Sequence, residues 1–81
     1  MVLTVKKGNN GDNVKELQEM LNQIFKENLK IDGVFGQITE NVVKTFQSIV
    51  GLDADGVVGP LTWAALRAKI KAINEAEKEE E

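Results

Sequence analysis

The 81-residue chain has no cysteine, no histidine and no tyrosine, a single proline, and only four aromatic side chains, Phe25, Phe35, Phe46 and Trp63. Without cysteine there is no disulfide and no thiolate metal site, so packing alone must hold the fold. The compartment stays open, because a disulfide-free domain is compatible with either side of a membrane. Without histidine the commonest general base and metal ligand is missing, which excludes Ser-His-Asp, Cys-His and His-based zinc chemistry. No apolar run approaches the ~18 residues of a membrane span. Met1 to Lys7 lacks the apolar core of a signal peptide, so any export signal is expected outside this chain.

The length bounds the chain to one small domain. At this size only ~60% of the unfolded surface is buried, so nearly every apolar side chain must enter one core. Residues 1–74 carry nine Lys or Arg and eight Asp or Glu, whereas residues 75–81 carry five Glu and one Lys. The expected division is a globular domain over 1–74 and an acidic frayed tail or linker over 75–81. A nearly neutral body with one arginine is a poor electrostatic match for nucleic acid.

An internal repeat organises the chain. Leu29-Lys30-Ile31-Asp32-Gly33-Val34-Phe35-Gly36-Gln37-Ile38-Thr39 returns 23 residues later as Leu52-Asp53-Ala54-Asp55-Gly56-Val57-Val58-Gly59-Pro60-Leu61-Thr62. A fainter echo links Val14-Lys15-Glu16-Leu17-Gln18 with Val43-Lys44-Thr45-Phe46-Gln47. The pattern predicts an all-α fold, a small three-helix bundle in which two Asp-Gly-x-x-Gly loops lead into the second and third helices. Val14, Leu17, Leu21 and Ile24 make the first apolar stripe, with Asp12 as N-cap and Asn28 at the end. Ile38, Val42, Phe46 and Ile49 make the second, flanked by Val43 and Val50 and closed by Gly51 at C′. Trp63, Leu66, Ile70 and Ile73 make the third, behind Pro60 at its first position. Val2, Leu3 and Val5 suffice only for a short extended segment.

In the loops, Gly33 and Gly56 are expected at positive φ, and Asp32 and Asp55 accept backbone N–H groups in Asx-type turns. Gly36 and Gly59 are expected at N-caps, with Thr39 and Thr62 at the third helical position bonding back to the loop. These roles build the fold without any ligand. Trp63 reads as core, and Phe35 as either a half-buried plug or an exposed aromatic.

The run Gly8…Gly11-Asp12-Asn13-Val14…Leu17-Gln18…Leu21, then Asp32-Gly33-Val34-Phe35-Gly36…Thr39…Val42-Val43…Phe46-Gln47, then Gly51-Leu52…Asp55-Gly56-Val57-Val58-Gly59…Thr62-Trp63…Leu66 resembles the peptidoglycan-binding domain 1 family over residues 6–70. The sequence departs from the family where many members have a Gly-Tyr-like turn after the first helix and this chain has Phe25-Lys26-Glu27-Asn28. The resemblance implies a non-catalytic module that anchors a covalently linked cell-wall hydrolase to murein. It implies an extracytoplasmic or cell-wall-associated protein, or a phage lysin, with no cofactor. Murein offers hydroxyls, N-acetyl groups and stem-peptide carboxylates. Val34, Phe35, Gln37, Thr39, Glu40, Asn41, Lys44 and Gln47 are the candidate ligand-binding residues. Free N–H groups at the starts of the second and third helices could receive a carboxylate.

Other readings stay open beside this one. Thirteen acids can be paired as a glycosidase dyad, but opposed carboxylates need a cleft that a body this small rarely supplies. Asp53-Ala54-Asp55-Gly56 looks like the start of a calcium loop, but its Gly falls too early and no Glu closes it. No catalytic residue and no metal ligand is therefore assigned. The fold could instead serve as a protein-docking module or inhibitory pro-segment, or the chain could be a redesigned scaffold without murein binding. No membrane partner is expected, and the simplest assembly is a monomer.

Overall fold

In the computed structural model, residues 4–26 and 28–79 are described, the side chains of residues 77–79 excepted. Three helices follow in order: α1 (Asp12–Phe25), α2 (Gln37–Ile49) and α3 (Pro60–Glu79). α1 packs on both of the others. Among the described residues the only extended pairings are two isolated antiparallel bridges, Val5 with Val58 and Asn10 with Val34. Val2 and Leu3, expected in the extended segment, lie outside the described residues, as do Glu80 and Glu81 at the end of the tail.

The N-terminal segment fastens both repeats. Val5 exchanges backbone bonds with Val58 at 3.1 and 2.8 Å in the second loop. In the first loop, Gly8 N–H donates to Phe35 O, Phe35 N–H to Asn9 O and Gly11 N–H to Gly33 O. Satisfying loop backbone this way lets Val5, Phe35 and Val58 enter the core, which they share with Val14, Leu17, Leu21, Val43, Phe46, Trp63 and Leu66. Phe25 meets Phe46 edge to face, with ring centroids 6.4 Å apart. The Arg67 guanidinium lies 5.8 Å from the Trp63 ring centroid, a cation–π contact that leaves its charge at the surface.

Several helix details differ from the sequence expectations. Gly11, not Asp12, is the N-cap of α1. Its carbonyl accepts the Lys15 N–H at 3.1 Å, and Asp12 becomes the first helical residue, where a negative charge suits the helix dipole. α1 also stops earlier, at Phe25, with Lys26 left-handed at φ 56° rather than an end at Asn28. Asn22 then anchors the outgoing chain, bonding the Leu29 N–H and C=O at 2.8 and 2.9 Å.

The largest correction concerns α2. Its buried face is Thr39, Val43, Phe46 and Gln47, whereas Ile38 is 71% and Ile49 64% exposed. The helix is turned away from its most apolar stripe because two polar side chains have bonding partners only inside. Its C-terminus is as expected: Gly51 takes φ 83°, Leu52 N–H reaches Gln47 O at 2.8 Å and Gly51 N–H reaches Ser48 O at 3.3 Å. These are the two bonds of a Schellman cap. α3 starts at Pro60 and continues to Glu79. At ~1.5 Å per residue its 20 residues run past the core, consistent with a long dimension of 41 Å against 25 Å for the other two. Trp63 and Leu66 are buried, Ile70 and Ile73 only half so.

Candidate functional site

The loops are held by two buried glutamines. Gln18 Oε1 accepts the Gly33 N–H at 2.9 Å, and its Nε2 faces Asp32 Oδ1, Val34 O and Thr39 Oγ1 at 3.1, 3.1 and 3.2 Å. Gln47 repeats this with Gly56 N–H at 2.9 Å and Asp55 Oδ1, Val57 O and Thr62 Oγ1 at 3.0, 2.9 and 3.1 Å. Two N–H donors thus serve three acceptors at each centre. Thr39 and Thr62 do sit third in their helices, but their hydroxyls reach the loops through the glutamine and not by bonding them directly.

Gly33 and Gly56 take φ 75° and 76° as expected. Asp32 accepts the Val34 N–H and Asp55 the Val57 N–H, both at 2.9 Å, closing the Asx turns. The Val34 N–H, then the Gln18 amide and the nearby Lys30 charge, hold Asp32 below the usual carboxylate pKa. The Val57 N–H and then the Gln47 amide do the same for Asp55. A β-carbon at Gly33 would lie 3.1 Å from Lys15 Cγ, and one at Gly56 only 2.9 Å from Glu40 Cγ, so each glycine also lets the preceding helix cover its loop.

A shallow pocket opens at each loop–helix junction. The first, about 360 Å³, is lined by Gln18, Leu29, Lys30, Asp32, Val34, Gly36, Gln37, Ile38 and Thr39. The second, about 220 Å³, is lined by Gln47, Leu52, Asp53, Asp55, Val57, Gly59, Pro60, Leu61 and Thr62. Every residue of one has its repeat partner in the other. Each has a glutamine–threonine floor and an aliphatic side chain standing at the rim, Ile38 (71% exposed) or Leu61 (74%). The fold does not require either rim residue to be apolar.

The structure divides the eight sequence-predicted site residues. Val34, Gln37 and Thr39 line the first pocket, Thr39 from its buried floor. Phe35 is 1% exposed and plugs the core, and Gln47 is equally buried and faces the second loop. As surface contacts for a ligand, Phe35, Thr39 and Gln47 are therefore corrected to framework residues. Asn41 is exposed and receives the Gln37 amide at 2.9 Å, while the same amide reaches Glu40 at 3.2 Å and Lys7 Nζ donates to Gln37 Oε1 at 2.8 Å. Glu40 and Lys44 pair at 3.9 Å and lie against Gly56, so they also flank the second loop. Sequence reasoning missed Leu29, Lys30 and Ile38 and, Gln47 apart, the second pocket. The signal for it was present, since the two loop runs align position for position.

A three-helix body with duplicated glutamine-clamped loops and a rim pocket on each defines a small recognition module. The chain belongs to the peptidoglycan binding domain family, whose model matches residues 10–66. It is 46% identical over 62 residues to a spore cortex-lytic enzyme of Halalkalibacterium halodurans, covering 76% of this chain and 19% of that one. Among solved structures it is similar to the SleB N-terminal domain (TM-score 0.77, 35% identity, 83% of this chain and 93% of that one). It is also similar to the Burkholderia AP3 phage endolysin (TM-score 0.76, 39% identity, 79% and 24%). The chain spans 48% and 19% of the first two curated relatives it matches.

Proposed function

We propose that this chain is a non-catalytic murein-binding module that holds a linked cell-wall hydrolase on its substrate, outside the cytoplasm or as part of a phage lysin. Family membership supports the murein ligand; the first pocket supplies the observation that carries the assignment to a place. Ile38, Val34 and Leu29 offer an apolar surface for an acetyl or alanyl methyl, and Lys30 stands beside them as the cation for a stem-peptide carboxylate. Gly36 caps α2 without a side-chain bond, which leaves first-turn N–H groups available to the same carboxylate. Gln37 and Asn41 add amides at the edge. Residues 75–81 act in this reading as the acidic lead into a neighbouring segment.

Cosedimentation with insoluble sacculi tests the proposal. The chain is expected to pellet with sacculi at low and high salt, and Ile38→Ser/Lys30→Glu is expected to stay in the supernatant with an unchanged thermal midpoint. Binding kept by that variant would overturn the site. Failure of the unsubstituted chain to pellet would overturn murein as the ligand and favour docking to a protein.

A further inference from the structure

We propose that the second pocket is a second murein subsite of opposite charge preference, taking a free ammonium of a stem peptide where the first takes a carboxylate. This rests on the murein reading above. The two pockets share the glutamine–threonine floor, the Asx aspartate and the aliphatic rim, and an apolar residue exposed at the same repeat position twice points to contact made twice. Their differences run in one direction. Lys30 is replaced by Asp53, removing a cation and adding an anion. Gln37 is replaced by Pro60, removing a side-chain amide and also a first-turn N–H that an anion would use. Asp55 accepts the Val57 N–H and the Gln47 amide on one carboxylate oxygen, Oδ1, as Asp32 does with the Val34 N–H and the Gln18 amide in the first pocket. Asp53 is exposed and its side chain makes no hydrogen bond or ion pair among the described residues, so its charge is available to a ligand. Leu61 beside it supplies a surface for the methylenes that carry an amine. Placing opposite charges in the two pockets matches a peptide that presents both, and it disfavours a purely anionic polymer.

The test uses sacculi whose stem peptides carry free amines, before and after those amines are capped with acetic anhydride. Leu61→Ser is expected to weaken retention about tenfold, the loss that follows from one uncovered aliphatic contact, with the thermal midpoint held. Capping the amines is expected to weaken the unsubstituted chain and to leave Asp53→Asn unchanged. If Leu61→Ser and Asp53→Asn bind native sacculi like the unsubstituted chain while Ile38→Ser does not, the second subsite is overturned and the murein reading stands. Equal losses on capping for the unsubstituted chain and Asp53→Asn overturn the charge assignment. No retention of the unsubstituted chain overturns both proposals.

Discussion

Gln18 and Gln47 show what a buried polar side chain can do when every one of its atoms is used. Each is 1% exposed and joins a helix, an Asx turn and the start of the next helix through one amide. Among the described residues no buried side-chain nitrogen or oxygen lacks a partner, so removing either glutamine strands several groups at once. Gln47→Met, close in volume, is expected to cost about 3 kcal/mol, because the buried Gly56 N–H and Thr62 hydroxyl lose their partner. Thr62→Ala is expected to cost about 1 kcal/mol, because it removes a single acceptor. Urea unfolding measures both, and similar costs for the two would show that water replaces the amide. The aspartates add a pH dependence. Their ordinary value is 3.8 and both are held below it in the fold. Their contribution is therefore fully present above that value and is lost as pH falls through the lower folded-state pKa values. Thermal midpoints taken downward from about pH 5 should fall less steeply in Asp32→Asn/Asp55→Asn than in the unsubstituted chain. Parallel curves would locate the acid sensitivity elsewhere.

Helix ends are where an element's cost is set by single backbone conformations. α1 is followed by Lys26 at φ 56° and α2 by Gly51 at φ 83°, one a side-chain-bearing residue and one a glycine in the same left-handed region. Lys26→Gly is expected to stabilise by about 1 kcal/mol and Gly51→Ala to destabilise by about as much, read as opposite shifts of the urea midpoint. The same sign for both would refute backbone strain as the cause. This level also shows what the sequence made legible. Pro60 and Gly51 announce a start and a stop by geometry that no tertiary contact alters, and the repeated Asp-Gly steps announce their turns the same way. The α2 face was not legible by counting apolar residues. Such counting places Ile38 and Ile49 inside, but Thr39 and Gln47 belong there because their partners lie on α1, on the second loop and on α3, 8 to 21 residues away. A polar core is invisible to hydrophobic periodicity. Only the recurrence of Val-Lys-x-x-Gln ahead of each loop marks it. For the candidate site, Val34 and Gln37 were legible as residues beside a turn, whereas Ile38 was assigned to the core on its chemistry alone.

On the scale of the whole molecule, the repeat puts two shallow pockets on one body held together by packing and hydrogen bonds. A pocket of 220 to 360 Å³ that is open to solvent gives a small ligand few atoms of contact, and therefore limited affinity. A sacculus compensates through the density of its sites, since a bound module raises the local concentration of anything linked to it. The module itself gains in the same way when it is duplicated. Two copies joined by a flexible Gly/Ser linker should be retained on sacculi far longer than one copy, with gains of up to about 10² to 10⁴ where both copies engage at once. The measurement is the fraction left on washed sacculi against time after dilution. A tandem with Ile38→Ser in one copy should fall back to the single-copy rate, because the gain comes from simultaneous engagement and not from added mass. A tandem that washes off as fast as the single copy would show that the surface does not offer two sites within the linker's reach, and would remove avidity as the reason a weak module can hold an enzyme in place.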